Sequence, residues 1–496
     1  LKSKDERVGK HSRFGAVLSA LALLSACGGG GGGGSVAVGG GTGSGGGTTG
    51  GTGGGTPTPT AGCSLRERQD WAFSVLREWY LFPETLPASL DPSGFSSLDA
   101  YIDALTATAR GQNRDRFFTY RTSIAEENAY IRTGSSAGFG FRLAYDTGAG
   151  RVVVTESFEG APALTAGIDR GTEILAIGTN AGNLQTVMNL VASGGPQAVS
   201  NALGPDTAGT TRVLRVQDAG GVRDVSVAKA DYTLTPVSSR YGTRIIDNGG
   251  QRVGYVNLRT FIDTADPALR SAFAQFKAQG ITDVIVDLRY NGGGLVSIAE
   301  LFGDLLAANR TPSDVFGYTT FRPEKASNNE VDYFAPQPES IAPTRIAFIG
   351  TGGTASASEL VINGMLPYLR ANEALIGSNT YGKPVGQIAI DRPACDDRLR
   401  VIAFATENRD HQGTYFNGLA SNMDVTCRAA DDLSRPLGDP AEASTRVALD
   451  FLAGRSCTPI TGASAALRTM SVGQGTREPL MPARPSPEQH AVPGAF

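Results

Sequence analysis

Three short stretches of this 496-residue sequence hold residue types that could break a bond. The first is Asp287-Leu-Arg-Tyr-Asn-Gly-Gly-Gly294, directly after an apolar run. Three consecutive glycines permit positive φ and close backbone approach. Their N–H groups lie beside the start of the next helix, where negative charge is favoured. That suits the oxyanion of an acyl transfer, although a tight turn would also use such glycines. The second is Gly352-Gly-Thr-Ala-Ser-Ala-Ser-Glu359, where small residues let a serine stand exposed on a sharp turn. Read alone, Ser356-Ala-Ser-Glu is equally a helix-capping arrangement. The third is Tyr381-Gly-Lys-Pro-Val-Gly-Gln387.

A serine needs a base, and the base inventory is short. His11 lies near the start, His490 near the end, and His411 alone falls in the middle, in a polar stretch that reads as a loop. Lysine is also scarce here, with Lys277, Lys325 and Lys383 after residue 237. A lysine can act as base once burial lowers its pKa toward neutrality, and Gln387 can hold the amine without adding charge.

The elements that must position these residues alternate between strand and helix from about residue 237, which indicates an α/β domain. Val253–Leu258, Asp283–Leu288, Arg345–Gly350, Leu375–Gly377 and Val385–Ile390 read as strands, and 267–279, 295–306 and 356–369 as helices. Active sites gather at the carboxyl ends of such strands. Residues 131–236 read as mostly strand, and 61–130 as helical, with Trp71, Val75, Leu76, Trp79 and Tyr80 at helical spacing.

In this order the three stretches resemble the tail-specific or carboxy-terminal processing peptidases, peptidase family S41, and the resemblance covers residues 131–455. Carried over by position, it implies Ser356 as nucleophile, Lys383 as general base and Gln387 as the base's orienting partner. The N–H groups of Gly293 and Ala357 would form the oxyanion hole; Ser358 is the rival nucleophile and His411 the rival base. No metal or organic cofactor is implied. The family also implies a PDZ domain, matching 131–236, whose loop Gly138, Phe139, Gly140 and Phe141 would receive a substrate's C-terminus as the peptide adds as a strand. Two departures stand out: Thr354 replaces the usual serine, and the usual Gly-Asp-x-Ile appears as Gly171-Thr-Glu-Ile174. The implied fold is α/β, with a crotonase-like core (237–456), a preceding or inserted PDZ β-sandwich and a small helical N-terminal domain. The implied activity is hydrolysis of peptide bonds in exported proteins, captured by unstructured C-termini. The alternative on the same fold is a non-catalytic peptide- or lipid-binding lipoprotein.

The N-terminal stretch fits export. A basic n-region and an apolar run from Phe14 to Leu24 precede Leu24-Ser25-Ala26-Cys27, which resembles a bacterial lipobox. Residues 1–26 are then a signal peptide, Cys27 carries lipid that holds the chain to an envelope membrane, and 27–60 is a Gly/Ser/Thr-rich tether. Removing 1–26 leaves 39 basic and 46 acidic residues, a balance that excludes a nucleic-acid binder. Cys63, Cys395, Cys427 and Cys457 remain, and two disulfides are expected, with Cys395 and Cys427 as the guessed pair because they flank one compact stretch. The Pro-rich segment 457–496 reads as a disordered tail.

Overall fold

In the computed structural model, which describes residues 61–461 and 477–496, the apolar run at 284–286 is a strand buried on both faces. Asp283–Asp287 pairs in parallel with Gln251–Asn257 on one side and Arg345–Gly350 on the other. Glu373–Gly377 and Thr426–Arg428 continue the parallel set, and Thr243–Asn248 closes the far edge antiparallel. Side chains alternate between faces. Val284 and Val286 enter a core with Leu269, Phe302 and Val361, from helices Ala265–Ala278, Val296–Leu305 and Ala357–Leu369. Ile285 enters a second core with Leu449 and Leu452 of helix Ala443–Leu452. Each such burial contributes roughly 1.5–3 kcal/mol, which explains why the strand is apolar without interruption. The expected strands and helices of this region form within two residues of their sequence bounds. The three chemistry-bearing stretches all leave the carboxyl ends of adjacent strands, after Asp287, Gly350 and Gly377.

A second sheet, antiparallel throughout, flanks these loops. Its central strand Asp397–Glu407 pairs with Val385–Arg392, Val315–Phe321 and Tyr120–Ser123. Here the crotonase-like core expected from the sequence is corrected. The strand–helix alternation is real, but the α/β unit is completed by an antiparallel sheet that takes a strand from the N-terminal segment. Nor do residues 61–130 have a core of their own. Leu76 and Tyr101, from helices Leu65–Trp79 and Leu98–Leu105, pack with Val401 and Phe404 of the second sheet.

Residues 135–233 form the β-rich region. Phe141–Asp146, Arg151–Ser157, Glu173–Gly178, Thr211–Asp218 and Gly221–Ala228 lie in spatial order, covered by the kinked helix Val187–Leu203. The region is tied to the α/β unit by buried Arg259, which reaches Glu156 and Glu159, each at 2.7 Å.

Two expectations fail here. Residues 477–496 are ordered against this region: Arg477–Pro479 pairs with Phe141–Asp146, and Leu480 and Phe496 enter its core. Proline and small residues made the segment look structureless, but its order comes from another chain region's strand edge. The disulfides join Cys63 to Cys395 and Cys427 to Cys457, not Cys395 to Cys427. Cys395 lies in the turn after the strand Val385–Arg392, beside the start of the first helix, whereas Cys427 lies on the parallel sheet's last strand. The expected signal peptide, lipid-bearing Cys27 and tether, and residues 462–476 of the expected tail, lie outside the described residues.

Candidate active site

The glycine loop is fixed first from below. Asp287 accepts from Tyr255 Oη at 2.7 Å and pairs with Arg289, whose guanidinium also holds Glu442 at 2.9 Å. All three charges are buried, so each needs the others. Asn291 then joins the glycine loop to the serine turn. Its side-chain amide donates to the Leu258 carbonyl at 2.8 Å, and its own carbonyl accepts from Ala355 N–H and Ser358 Oγ, both at 3.0 Å. Ser358, the rival nucleophile, is thus buried and engaged.

Ser356 stands at the start of helix Ala357–Leu369 with φ 57° and ψ −116°. A non-glycine residue held there costs about 1–3 kcal/mol, a strain typical of functional turns. Gly293 is pressed against it: a Cβ on Gly293 would lie 2.8 Å from Ser356 Cβ and 3.0 Å from Ala357 N. Only glycine fits at that position, where φ is 109°. As the first helical residue, Ala357 has an N–H with no carbonyl in its helix to accept it. Gly293 N–H, the other expected donor of the oxyanion hole, donates to Asn291 Oδ1 at 2.9 Å. Gly292 N–H faces outward instead, and donates to the Ala491 carbonyl at 2.9 Å.

The lysine is positioned from another side. Lys383 Nζ donates to Gln387 Oε1 at 2.7 Å, and Gln387 Nε2 donates to the Phe118 carbonyl. The Phe118 ring lies 5.1 Å from Nζ. Arg116 donates to the Tyr381 carbonyl at 2.6 Å and to that of Gly382, and so fixes the loop. Burial, reinforced by Arg400, lowers the Lys383 pKa to about 8; Asp115 and Glu359 oppose the shift. In this state no hydrogen bond links Nζ to Ser356 Oγ.

One residue that the sequence reading left without a catalytic part joins the two halves. Buried Glu359 accepts from Ser356 N–H at 3.0 Å and from Lys383 N–H at 2.7 Å on the same oxygen, and from Gly382 N–H at 2.7 Å on the other. Burial pushes its pKa up against these hydrogen bonds. Its spacing from Ser356 did suggest a helix cap; its bonds to the lysine loop left no local signal. Arg116, Phe118 and Asn291 were missed for the same reason.

The remaining candidates separate cleanly. His411 is exposed, bonded to Glu407 at 3.0 Å and stacked on Tyr318. Phe139 and Phe141 are buried in the core of the β-rich region, and Gly140, with φ 73°, turns its N–H toward residue 496. A cavity of about 1730 Å³ reaches from Lys383 and Gly292 toward Phe117, Arg121 and Asp206.

Residues 252–425 match the family model of peptidase family S41, and residues 67–120 that of the peptidase S41 N-terminal domain. The chain is 27% identical over 278 residues to the C-terminal processing peptidase, chloroplastic, of Tetradesmus obliquus, covering 52% of this chain and 53% of that one. It is 26% identical over 328 residues to a carboxyl-terminal-processing protease of Synechocystis, covering 65% and 70%. The chain thus spans little more than half the length of the first of these relatives. An S41 protease from Bacteroides fragilis shares the fold with a TM-score of 0.60 at 23% identity, over 77% of this chain and 97% of that one. That likeness overturns the crotonase-like assignment: the architecture is the one seen in that S41 protease.

Proposed function

We propose that this chain, which belongs to peptidase family S41, is a serine endopeptidase with a Ser356–Lys383 dyad. The observation that carries the reading is the shared Glu359 oxygen, which holds the backbone of nucleophile and base together. Ser356 Oγ attacks the peptide carbonyl while neutral Lys383 Nζ takes its proton, and Gln387 steers the amine. The ammonium returns that proton to the leaving amine, leaving an acyl-enzyme. Water, deprotonated by the same lysine, then releases the acid and restores Ser356. Ala357 N–H and a glycine-loop N–H stabilise the oxyanion, each such donor being worth about 2.7–4 kcal/mol where removal has been measured.

The substrates in this reading are exported proteins with unstructured C-termini. These add as a strand beside Phe141–Asp146, with Gly138, Phe139, Gly140 and Phe141 at the head of a PDZ-like groove. The enzyme works outside the cytoplasm, held to the bacterial envelope by lipid on Cys27, which the mass of the mature N-terminus would check.

Mass spectrometry of products from a disordered protein tests the reading. Ser356→Ala and Lys383→Ala should each lower cleavage by about 10⁴-fold, whereas Ser358→Ala should retain most of it. Peptide binding without any cleavage by the unmodified chain would favour the non-catalytic alternative.

A further inference from the structure

The open edge of strand Phe141–Asp146, where a substrate would add, is already filled by this chain. Residues 477–479 pair with 144–146, and Leu480 N–H donates to the Leu143 carbonyl at 3.0 Å. The chain then leaves the edge and returns. Leu143 N–H donates to the Gly494 carbonyl at 2.8 Å, Phe496 N–H to the Phe141 carbonyl at 3.0 Å, and Gly140 N–H to the Phe496 carbonyl at 2.8 Å. Ala495 forms an antiparallel bridge with Arg142. These are the backbone bonds of an added strand, and the Phe496 ring fills an apolar pocket with Phe139, Phe141, Val199 and Leu203.

Between its two paired pieces the segment crosses the catalytic loops. Ala491 presents its carbonyl to Gly292 N–H at 2.9 Å, on the loop whose next residue, Gly293, packs against Ser356. The His490 imidazole stacks on Tyr120 with centroids 3.7 Å apart. Along with Pro493 and Phe496, it walls the cavity that contains Lys383. Polar anchors hold the crossing in place: Glu488 accepts from Tyr232 Oη at 2.6 Å, and Arg484 pairs with Asp103.

We propose that residues 477–496 are a built-in competitor, which fills the peptide groove and covers the catalytic loops so that the enzyme is latent until a peptide displaces them. The inference rests on the peptidase reading above and adds its regulation. It also names the ligand chemistry of the groove: an extended peptide with small residues followed by an aromatic one that enters the apolar pocket.

The test has two arms. In the first, a fluorescent decapeptide of sequence 487–496 is titrated into Ser356→Ala protein. Binding should be at least about tenfold tighter to the chain lacking 477–496, and to Phe496→Asp, than to the intact chain. Phe496→Asp covers the case in which deletion impairs folding, which thermal unfolding reports. In the second arm, cleavage of a disordered protein should rise at least about tenfold in the same variants carrying Ser356. Equal peptide affinity for intact and altered chains, or no affinity for any, overturns the proposal. So does an unchanged cleavage rate in an active enzyme. If no form cleaves, the peptidase reading falls, and the peptide arm still decides whether the segment occupies the groove.

Discussion

The serine half and the lysine half of the site are held by different parts of the molecule. Ser356, Gly293 and Asn291 sit on loops of neighbouring parallel strands, and the partners of Asn291, namely Leu258, Leu288 and Ala355, lie on the loops that leave the same sheet. Lys383 depends instead on Gln387 in the antiparallel sheet and on Arg116 and Phe118 in the N-terminal segment. The serine half is therefore a property of one sheet, and the lysine half a property of the assembled chain. Two halves built separately need a joint. Glu359 supplies it, and beyond the dyad itself the largest effect should come from breaking that joint. Glu359→Gln keeps size and burial but puts an NH₂ group against N–H donors that now meet carboxylate oxygens. Hydrogen bonds to a charged group contribute about 1.5–3 kcal/mol each, so kcat should fall by about 10²-fold. KM should move little, because no substrate contact is removed. A fall in melting temperature with kcat unchanged would mean that Glu359 only supports the fold.

The same contrast explains what could be read in advance. Asp283–Asp287, Arg345–Gly350 and the helices between them announce themselves by uninterrupted apolar runs and helical periods, because burial on two faces demands them. Ser356, Lys383 and Gln387 lie within short motifs, so their types and spacing were visible. The strand Asp397–Glu407 was not, although it centres the second sheet. Its charged residues Arg398 and Arg400 look like a surface loop, until Glu127 on the N-terminal helix Ile124–Thr133 pairs with both. The Cys63–Cys395 pairing and the order of residues 477–496 were hidden likewise, since each is fixed by a chain segment hundreds of residues away. Local sequence specifies an element's type. It does not specify which distant edge the element will meet.

A smaller effect should sharpen the comparison by showing how far the lysine half is tuned by its surroundings. Burial, with help from Arg400, places the Lys383 pKa at about 8. The neutral amine is the base, so its fraction grows as pH rises. The rate should climb about tenfold per unit below that value and level off above it. Gln387 accepts a hydrogen bond from the ammonium, so it favours the charged form and raises the pKa. In Gln387→Ala the limb of the pH–rate profile should move to lower pH while the plateau falls by about tenfold, the amine being no longer steered. An unmoved limb would show that Gln387 has no contact with the base during turnover.

The smallest effect belongs to the rival base. His411 is the histidine that a serine–histidine arrangement would need, yet its ring lies flat on Tyr318 and its Nδ1 is bonded to Glu407. It is exposed, and it is absent from the wall of the cavity that Lys383 lines. Its partners are Glu407, the last residue of the strand Asp397–Glu407, and Tyr318 on the neighbouring strand Val315–Phe321. His411→Ala should therefore leave kcat/KM within about twofold and the pH–rate limb unmoved, as for a surface substitution. A loss of even about tenfold, with the pH–rate limb abolished or displaced, would transfer the proton-accepting role from the lysine half to this loop. The separate support given to Lys383 by Arg116 and Phe118 would then have to serve the fold alone.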